Sequence, residues 1–470
     1  MGVNQFIFEK LHQKLGSPPT SCQERLFGIL SDFVTGATDT GIMVINGYAG
    51  TGKTSALAAL ISVMSEFGQK MILMAPTGRA AKVLSGYASI KAWTIHKQIY
   101  RQRSMKDGTG VFSLNINQNK ETIYIVDEAS LIPVVSDDFS PFGSGNLLDD
   151  LMEYVFSKEG NKLILTGDSA QLPPVGNKVS LALDPEYLSR YGKVTSASLT
   201  SVVRQAESSG ILRNATLIRC LIEKGTEDFP QFETVSFDDV ERVSGDELIE
   251  KLSDSFDKAG IDETLVLCRS NKRANRYNKG IRSSILFREE RINKGDKIMV
   301  VKNCYQFLDN LEDIDFIANG DVAELVRISG YEQRYGLNFA EATLRFTDYN
   351  DIEIKAKIIL DTLESETASL GAEQQKLLYQ GVYEDYSDIK TKRKRISAVR
   401  EDKYFNALQI KFASAITCHK SQGGQWRRVF IDNPFYSENI TLDDLKWLYT
   451  AMTRAVDKLY FINFDKRFFK

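Results

Sequence analysis

The residues with the clearest chemical potential form the octapeptide Gly47-Tyr-Ala-Gly-Thr-Gly-Lys-Thr54. Its glycines let the backbone turn tightly, so that several N–H groups converge on one anion. A strand-like apolar run, 41–46, precedes it, and a run of helix formers, 55–64, follows it. The helix N-terminus adds the positive end of a dipole. The stretch predicts a phosphate-binding loop in which Lys53 reaches the β- and γ-phosphates and Thr54 binds Mg²⁺.

Two further groups of polar residues follow short apolar strands. Asp127 and Glu128 come directly after 122–126, and Gln171 lies in a segment that follows 162–166. In a parallel α/β sheet, functional residues gather at the carboxyl ends of the strands. There the first carboxylate would hold Mg²⁺ and the second would orient or deprotonate an attacking water. The glutamine amide would sense the γ-phosphate.

Phosphoryl transfer also needs positive charge beside the γ-phosphate in the transition state. Arg204, in Ser-Val-Val-Arg-Gln, and Arg454, in Tyr-Thr-Ala-Met-Thr-Arg, are the candidates. A surface charge is the ordinary alternative for any single arginine. The motif-like surroundings of these two favour a catalytic role.

Net charge, cysteine spacing and the length of the apolar stretches limit which classes of protein the sequence fits. The net charge is −3 over 470 residues, so any binding of nucleic acid must use a local basic surface. The five cysteines lie far apart without a C-x-x-C pair, which is typical of reduced thiols in a cytosolic protein. Neither a signal peptide nor an apolar stretch of about 18 residues is present, so we expect no membrane span.

The elements that must position these residues alternate between strand and helix over roughly the first 200 residues, and the alternation resumes at 264–268. It fails over 320–360, where apolar and polar residues alternate in a pattern that favours a small antiparallel barrel or sheet. It returns at 427–432 and 458–462. The pattern predicts two α/β domains, the second interrupted by about 100 residues.

Two shorter stretches leave alternatives open. Residues 101–117 contain Asp107-Gly108 and an alternating run, which together predict a β-hairpin outside the main sheet; a solvated loop is the alternative. The basic run 390–395 is either a solvated surface or a contact for phosphates.

The ordered series of motifs resembles superfamily 1 helicases, specifically the branch that contains RecD and the phage Dda helicase, and the layout is closest to Dda. Nearly the whole chain takes part. The matching stretches are Gln23, then 47–54 (motif I), 75–81 (Ia), 94–96 (Ib), 127–128 (II), 167–171 (III), 268–271 (IV), 414–423 (V) and 449–454 (VI).

The resemblance implies an α/β fold of two RecA-like P-loop NTPase domains, with a small β-hairpin inserted in the first and an SH3-like β-barrel with helices inserted in the second. The expected bounds are 1–200 for the first domain, with its hairpin at 98–121; 201–303 and 411–470 for the second; and 304–410 for the barrel and helical insertion.

The resemblance also implies an ATP site in the cleft between the two domains, with Gln23 reading the adenine. The expected catalytic residues are Lys53, Asp127, Glu128, Gln171, Arg204 and Arg454. The expected ATP contacts are Gln23, Gly47, Ala49, Gly50, Thr51, Gly52, Lys53, Thr54, Ser55 and Gly423. The expected Mg²⁺ ligands are Thr54 and Asp127.

Single-stranded DNA is expected to cross the top of both domains. The implied contacts are Pro76, Thr77, His96, Phe112, Asn271, Thr417, His419 and Lys420. Phe112 is the candidate wedge that stacks on a single-strand/double-strand junction. A phenylalanine buried in the hairpin core is the rival interpretation.

These implications predict an ATP-dependent DNA helicase that moves 5′ to 3′ and works as a monomer in the cytoplasm, associated with the nucleoid. Replication, repair and recombination are the expected settings, with protein partners at such sites. Two alternatives remain: an RNA helicase or translocase of the same superfamily, and a non-helicase NTPase switch. Membership of a larger nuclease complex also stays open.

Overall fold

The computed structural model of the chain describes residues 2–36, 41–102, 112–134, 142–203, 208–304, 306–307 and 317–470. It contains three bodies. We call them the first α/β domain (described residues up to 203), the second α/β domain (208–296 and 413–470) and the barrel domain (described residues of 297–412). Within the described ranges, no helix is long and apolar enough to cross a membrane.

The first α/β domain surrounds a six-stranded parallel sheet with strand order β3-β2-β6-β7-β1-β8. A separate two-stranded pair, β4 and β5, stands outside it. In chain order the elements are α1 Val3–Leu15, α2 Ser21–Thr35, β1 Ile42–Gly47, α3 Lys53–Glu66, β2 Met71–Ala75, α4 Gly78–Ala88, β3 Ala92–Thr94, α5 Ile95–Ile99, β4 Tyr100–Gln102, β5 Phe112–Leu114, β6 Ile123–Val126, α6 Leu147–Phe156, β7 Lys162–Gly167, α7 Pro185–Leu188 and β8 Val194–Leu199.

The second α/β domain holds a five-stranded parallel sheet in the order β16-β10-β17-β18-β9. The barrel domain closes five strands, β11 to β15, and carries two helices on its outside. The elements are α8 Gly210–Lys224, β9 Val240–Val243, α9 Leu248–Ala259, β10 Thr264–Cys268, α10 Asn271–Ser284, β11 Lys297–Val300, β12 Val322–Arg334, β13 Leu337–Phe346, β14 Ile352–Ile359, α11 Ala372–Asp385, α12 Lys392–Glu401, β15 Leu408–Phe412, β16 Ala415–Thr417, β17 Trp426–Asp432, α13 Leu442–Met452 and β18 Ala455–Ile462.

The sheets form where the sequence offers short apolar runs covered on both faces. In β1, residues 42–45 are each at most 4% exposed. Strands buried on both faces read as continuous apolar runs, and parallel sheets with helices on each face require this. The predicted fold class, two RecA-like α/β domains with an inserted barrel, is confirmed.

The barrel extends beyond the stretch 304–410 that the sequence suggested for the insertion. Its first strand is Lys297–Val300, which pairs with β12 and with β15. Residues 297–301 form a short apolar run like those of the parallel strands, and only their antiparallel partners reveal the difference. The predicted helical excursion at 361–400 contains α11 and α12, which pack on the barrel around Leu378 and Val399.

Candidate nucleotide site and nucleic-acid channel

The phosphate-binding loop is a tight turn between β1 and α3. Gly50 and Gly52 have φ angles of +73° and +79°, in the left-handed region that favours glycine. A side chain at Gly52 would also collide with the amide of Gln23. Lys53 begins α3 and donates a hydrogen bond back to the carbonyl oxygen of Gly47. The ammonium is therefore held over the loop by a neutral acceptor that a phosphate oxygen can replace.

Asp127 and Glu128 follow β6 at the carboxyl edge of the first sheet. The Tyr87 hydroxyl donates to Oδ2 of Asp127 at 2.5 Å, and the Glu128 N–H donates to its Oδ1 at 2.9 Å. Burial raises the pKa of the Glu128 carboxyl, while the positive charges of Arg454 and Lys53 lower it. The buried Oε2 of Glu128 has no hydrogen-bond partner among the described residues. Such an orphaned acceptor suits a bound water.

Tyr449 of α13 connects the second α/β domain to the phosphate-binding loop. Its hydroxyl donates to Oδ2 of Asp168 at 2.6 Å and accepts from the Ala49 N–H at 2.9 Å. Gln171 follows on the same segment as Asp168 and is 6% exposed. Its Oε1 is buried without a hydrogen-bond partner in the described chain. Elements of both domains therefore converge on one point beside the loop.

Arg454 is a buried cation with neutral neighbours. It is 3% exposed, and its guanidinium donates to the carbonyl oxygens of Thr450 and Gly424, both at 3.1 Å, and to the Thr453 hydroxyl at 3.2 Å. No carboxylate of the described residues lies within ion-pair distance. A buried guanidinium without an anion is costly, and its charge acts on Glu128 across the cleft. A phosphate would neutralise it.

The remaining predicted ATP contacts differ in their exposure and in the hydrogen bonds that their side chains already make. Thr54 and Ser55 are exposed at the start of α3, whereas Thr51 is buried and donates to the Tyr48 carbonyl at 2.7 Å. Gln23 lies against the loop, but its Oε1 accepts from the Thr20 N–H at 2.9 Å as part of a capping box. The amide oxygen is thus already bonded to backbone in this structure.

Gly423 lies on the other side of the site. It has a φ of +74°, and a Cβ there would come within 3.0 Å of the Thr77 hydroxyl. The structure therefore places it beside a predicted DNA contact rather than beside the phosphate-binding loop. Arg204 lies outside the described residues.

The residues present fit a magnesium–nucleotide complex. Lys53 offers an ammonium, and Thr54 and Asp127 offer the hard oxygen ligands that Mg²⁺ prefers. The orphaned oxygens of Glu128 and Gln171 are acceptors for water or for metal-bound groups. The set combines a cation, a hydroxyl, a carboxylate and unpaired acceptors around one loop.

A cavity of about 750 Å³ lies between the two α/β domains and the barrel. Among its lining residues are five of the predicted DNA contacts: Pro76, Thr77, His96, His419 and Lys420. We call it the channel. Its charged lining is mainly cationic, with the six side chains of Arg79, Lys82, Lys91, Lys97, Lys297 and Lys420 against the two of Asp321 and Asp348. The channel is thus a local basic surface on a chain of net charge −3.

The two channel histidines are neutral at neutral pH. Burial lowers the pKa of His96 to about 4, although the charge of Asp150 opposes this. Burial, and then the charge of Arg269, lower the pKa of His419. Burial lowers the pKa of Lys420 only to about 8, so it keeps most of its charge at pH 7. Hence the lysines, rather than the imidazoles, supply the positive charge of the channel at pH 7.

The barrel closes one side of the channel. Lys82 of α4 donates to the Thr347 carbonyl at 2.9 Å and forms an ion pair with Asp348 at 3.3 Å. The neighbouring Tyr349 donates to Oδ2 of Asp321 at 3.0 Å. The segment 347–349 thus packs on α4, the helix that begins within motif Ia.

Three of the predicted DNA contacts do not line the channel. Asn271 is the first residue of α10, after the N-cap Ser270, and Thr417 ends β16. Phe112 is 2% exposed, with its ring 4.8 Å from that of Phe142. A ring buried in this way packs against its neighbours rather than offering a face to a base, which favours the core interpretation of Phe112 over the wedge. The hairpin tip at 103–111 lies outside the described residues.

Sequence reasoning missed several residues that join the parts of the site. The Arg79 guanidinium lies 4.0 Å from the Trp426 ring centre and donates to the Gln425 carbonyl at 2.7 Å, linking the two α/β domains. Tyr87 has the hydrogen bond to Asp127 described above. Arg79 lies inside motif Ia, so its place in the sequence indicated a functional role. Tyr87 lies outside every motif, so nothing in the sequence indicated one.

Comparison with known proteins agrees with this geometry. A family model described as an AAA domain matches residues 32–220. A second, described as a UvrD-like helicase C-terminal domain, matches 412–462, the stretch that contains His419, Lys420 and Arg454. Through these two models and the helicase relatives that follow, the chain is similar to the RecD/Pif1-like helicases of superfamily 1. The closer likeness to Dda stays a prediction.

Relatives of this group match parts of the chain. The ATP-dependent RecD2 DNA helicase of Deinococcus radiodurans is 28% identical over 37% of this chain and 21% of its own. The ATP-dependent DNA helicase RRM3 of Saccharomyces cerevisiae is 28% identical over 42% and 27%. An uncharacterized protein of Methanocaldococcus jannaschii, MJ1519, is 24% identical over 93% of this chain, which spans 38% of that relative.

A solved structure of Pif1 helicase from Bacteroides, in complex with ADP-AlF3 and single-stranded DNA, aligns over 97% of this chain and 95% of its own. The identity is 16% and the TM-score is 0.49. This likeness is too distant to assign residue roles.

Proposed function

We propose that the chain is an ATP-dependent DNA helicase that moves 5′ to 3′ along single-stranded DNA and separates duplexes. The observation that carries the proposal is the meeting of Arg454 and Tyr449 of the second α/β domain with Glu128 and the phosphate-binding loop of the first. A nucleotide site completed by a second domain changes when the domains move. A cationic channel crosses the same two domains.

The proposed ATP chemistry assigns one task to each side chain. Lys53, Thr54 and Asp127 would hold the phosphates and Mg²⁺, and the metal when bound would supply positive charge against the charge of the phosphates. Glu128 orients and accepts a proton from the attacking water through its orphaned Oε2. Arg454 places its charge beside the γ-phosphate. Burial of Arg454 and of the Glu128 Oε2 atom keeps bulk water from these two groups and strengthens their electrostatic effect.

Motion along the strand follows from residues shared by cleft and channel. The Gln422 amide donates to the Leu172 carbonyl at 2.7 Å, and the Leu172 N–H donates to the Thr450 hydroxyl at 2.8 Å. Gln422 also lines the channel. A change of spacing at the γ-phosphate therefore shifts the two channel walls relative to one another, and the grip on the strand alternates between them. The 5′ to 3′ direction rests on the resemblance to RecD-like enzymes.

The setting of this activity is also proposed. The preferred substrate is a single-strand/double-strand junction, the working form is a monomer, and replication, repair or recombination is the process served, in the cytoplasm at the nucleoid. Phosphate contacts do not distinguish DNA from RNA, so the test includes both.

The test is ATP hydrolysis and strand separation with matched duplexes that carry a 5′ or a 3′ single-stranded tail. We expect separation of the 5′-tailed DNA duplex only. Lys53→Ala should abolish turnover, and Lys258→Ala, which removes an exposed lysine of α9, should not. Separation of only the 3′-tailed duplex overturns the direction. Stimulation by RNA alone moves the substrate to RNA, and no stimulation by either strand supports an NTPase switch.

A further inference from the structure

The chain has three tryptophans, and they differ sharply in exposure. Trp426 and Trp447 are 4% and 1% exposed. Trp93, in β3, is half-buried and lines the channel. A large aromatic ring left accessible in a cationic channel is unusual, because burying it elsewhere would be favourable.

Two ammonium groups accompany this ring. Lys91 Nζ lies 4.0 Å from the centre of the Trp93 ring, and Lys97 Nζ lies 5.9 Å from it. Cation–π attraction holds such groups over an indole face. Lys91 and Lys97 both line the channel as well. An aromatic face with positive charges beside it is the combination that binds a base and its phosphates in single-stranded nucleic acid.

We propose that Trp93 is a stacking platform for one base of the single strand, and that Lys91 and Lys97 hold the flanking phosphates. The inference rests on the proposed function and adds a base-binding residue to it. The base takes the place of the Lys91 ammonium over the ring, and the displaced ammonium pairs with that nucleotide's phosphate. The exchange replaces one cation–π contact with a stack and an ion pair.

The platform lies at the hairpin end of the channel. β3 is the edge strand of the first sheet. The chain passes from Trp93 through α5 directly into β4, the first strand of the β4–β5 pair. The His96 ring, three residues beyond Trp93, packs 4.8 Å from Phe142 beneath that pair. Along the chain, only the short helix α5 therefore separates the platform from the β4–β5 pair.

Tryptophan fluorescence tests the contact, because the other two indoles are buried, although Trp426 also lines the channel. Oligo(dT) should quench the parent protein, and Trp93→Phe should remove most of this quenching. Trp447→Phe also removes one indole, from the core, and should keep the quenching. An oligonucleotide with 5-bromouracil, irradiated on the parent protein, should cross-link to the peptide that contains Trp93.

Affinity for oligo(dT) separates stacking from charge. Trp93→Ala should weaken binding roughly 5- to 150-fold, the range expected for one aromatic–base stack, and Trp93→Phe much less. Lys91→Gln and Lys97→Gln should each lower the slope of log affinity against log salt by about 0.7. Trp93→Ala should leave the salt slope unchanged. A general distortion of the channel would change this slope as well as the affinity.

The outcomes separate this inference from the proposed function. Failure of the parent protein to bind any oligonucleotide overturns both. Normal binding with quenching retained in Trp93→Phe, or with cross-links only elsewhere, overturns the platform alone. If Trp93→Ala does not fold, the Trp93→Phe titration and the cross-link to the parent protein still decide the question.

Discussion

Tyr449 of the second α/β domain and Asp168 of the first are joined by a hydrogen bond of 2.6 Å between the tyrosine hydroxyl and Oδ2 of the carboxylate. The Tyr449 hydroxyl oxygen also accepts a hydrogen bond from the N–H of Ala49 in the phosphate-binding loop. One hydroxyl therefore ties the loop, the segment after β7 and helix α13 together. A rearrangement of the loop around a nucleotide would therefore move Tyr449 and alter the contact between the two domains.

Tyr449→Phe tests this connection. The variant keeps the ring but leaves Oδ2 of Asp168 without its donor, so we expect a loss of about 1–3 kcal/mol of stability. It should also change the separation of the two domains, with and without a non-hydrolysable ATP analogue, as measured by small-angle scattering. Tyr277→Phe is the control, because it loses a 2.7 Å bond to Asp432 within one domain. Scattering curves equal to those of the parent would contradict the connection.

Arg454→Lys tests the charge supplied by the second α/β domain. Lysine keeps the charge but not the guanidinium fork, so ATP turnover should fall about 10³-fold, as for removal of an arginine finger. Nucleotide affinity, measured with a fluorescent ATP analogue, should fall far less. The matched control is Arg427→Lys, at an exposed arginine that pairs with Asp457 at 2.6 Å. Equal rates of ATP turnover in Arg454→Lys and Arg427→Lys would show that Arg454 does not act in ATP hydrolysis.

Phe112→Ala distinguishes a core residue from a wedge. Because the ring is buried against Phe142, its loss should lower stability by about 3–5 kcal/mol. ATP hydrolysis and strand separation should then decline together as the folded fraction falls. Phe112→Leu should be much milder. A Phe112→Ala protein with the parent's melting temperature and a loss of strand separation alone would restore the wedge interpretation.

The parts of the fold that sequence could predict are those encoded in contiguous residues. The loop 47–54 and the strands before Asp127 and Gln171 follow from local apolar runs and glycine turns. A nucleotide site at the ends of parallel strands uses such local segments, so its motifs are readable in order.

The relationships that sequence could not predict join distant residues or depend on orientation. Tyr449 and Asp168 are 281 positions apart, and nothing local indicates that they meet. The alternation in 111–116 predicts a strand but does not say which face meets the core, so Phe112 could be assigned to either side. Lys297–Val300 looks like a parallel strand until its partners in the barrel are known.

His96→Asn tests the effect of the packed imidazole on stability at acid pH. The unfolded chain protonates this group with a pKa of about 6.5, whereas packing lowers the pKa of His96 to about 4. Between these values the unfolded chain binds more protons, so stability falls as pH falls from 6.5 to 4. The melting temperature of His96→Asn should therefore fall less between pH 7 and 4.5 than that of the parent, and His12→Asn is the control. Parallel curves for parent and variant would refute this.

Asp348→Asn tests whether the barrel competes with nucleic acid for Lys82. In this structure the ammonium is bound to Asp348 and to the Thr347 carbonyl, and a phosphate must displace the carboxylate. Because an ion pair of this exposure is worth about 0.2–1 kcal/mol, the variant should bind oligo(dT) up to about fivefold more tightly at low salt.

The gain from Asp348→Asn should shrink as salt screens the pair. The control is Asp351→Asn, which removes the same charge from an exposed position of the adjoining turn. A gain in Asp348→Asn alone identifies release of Lys82. Equal gains in both variants would reduce the effect to net charge, and no gain would show that the strand does not use Lys82.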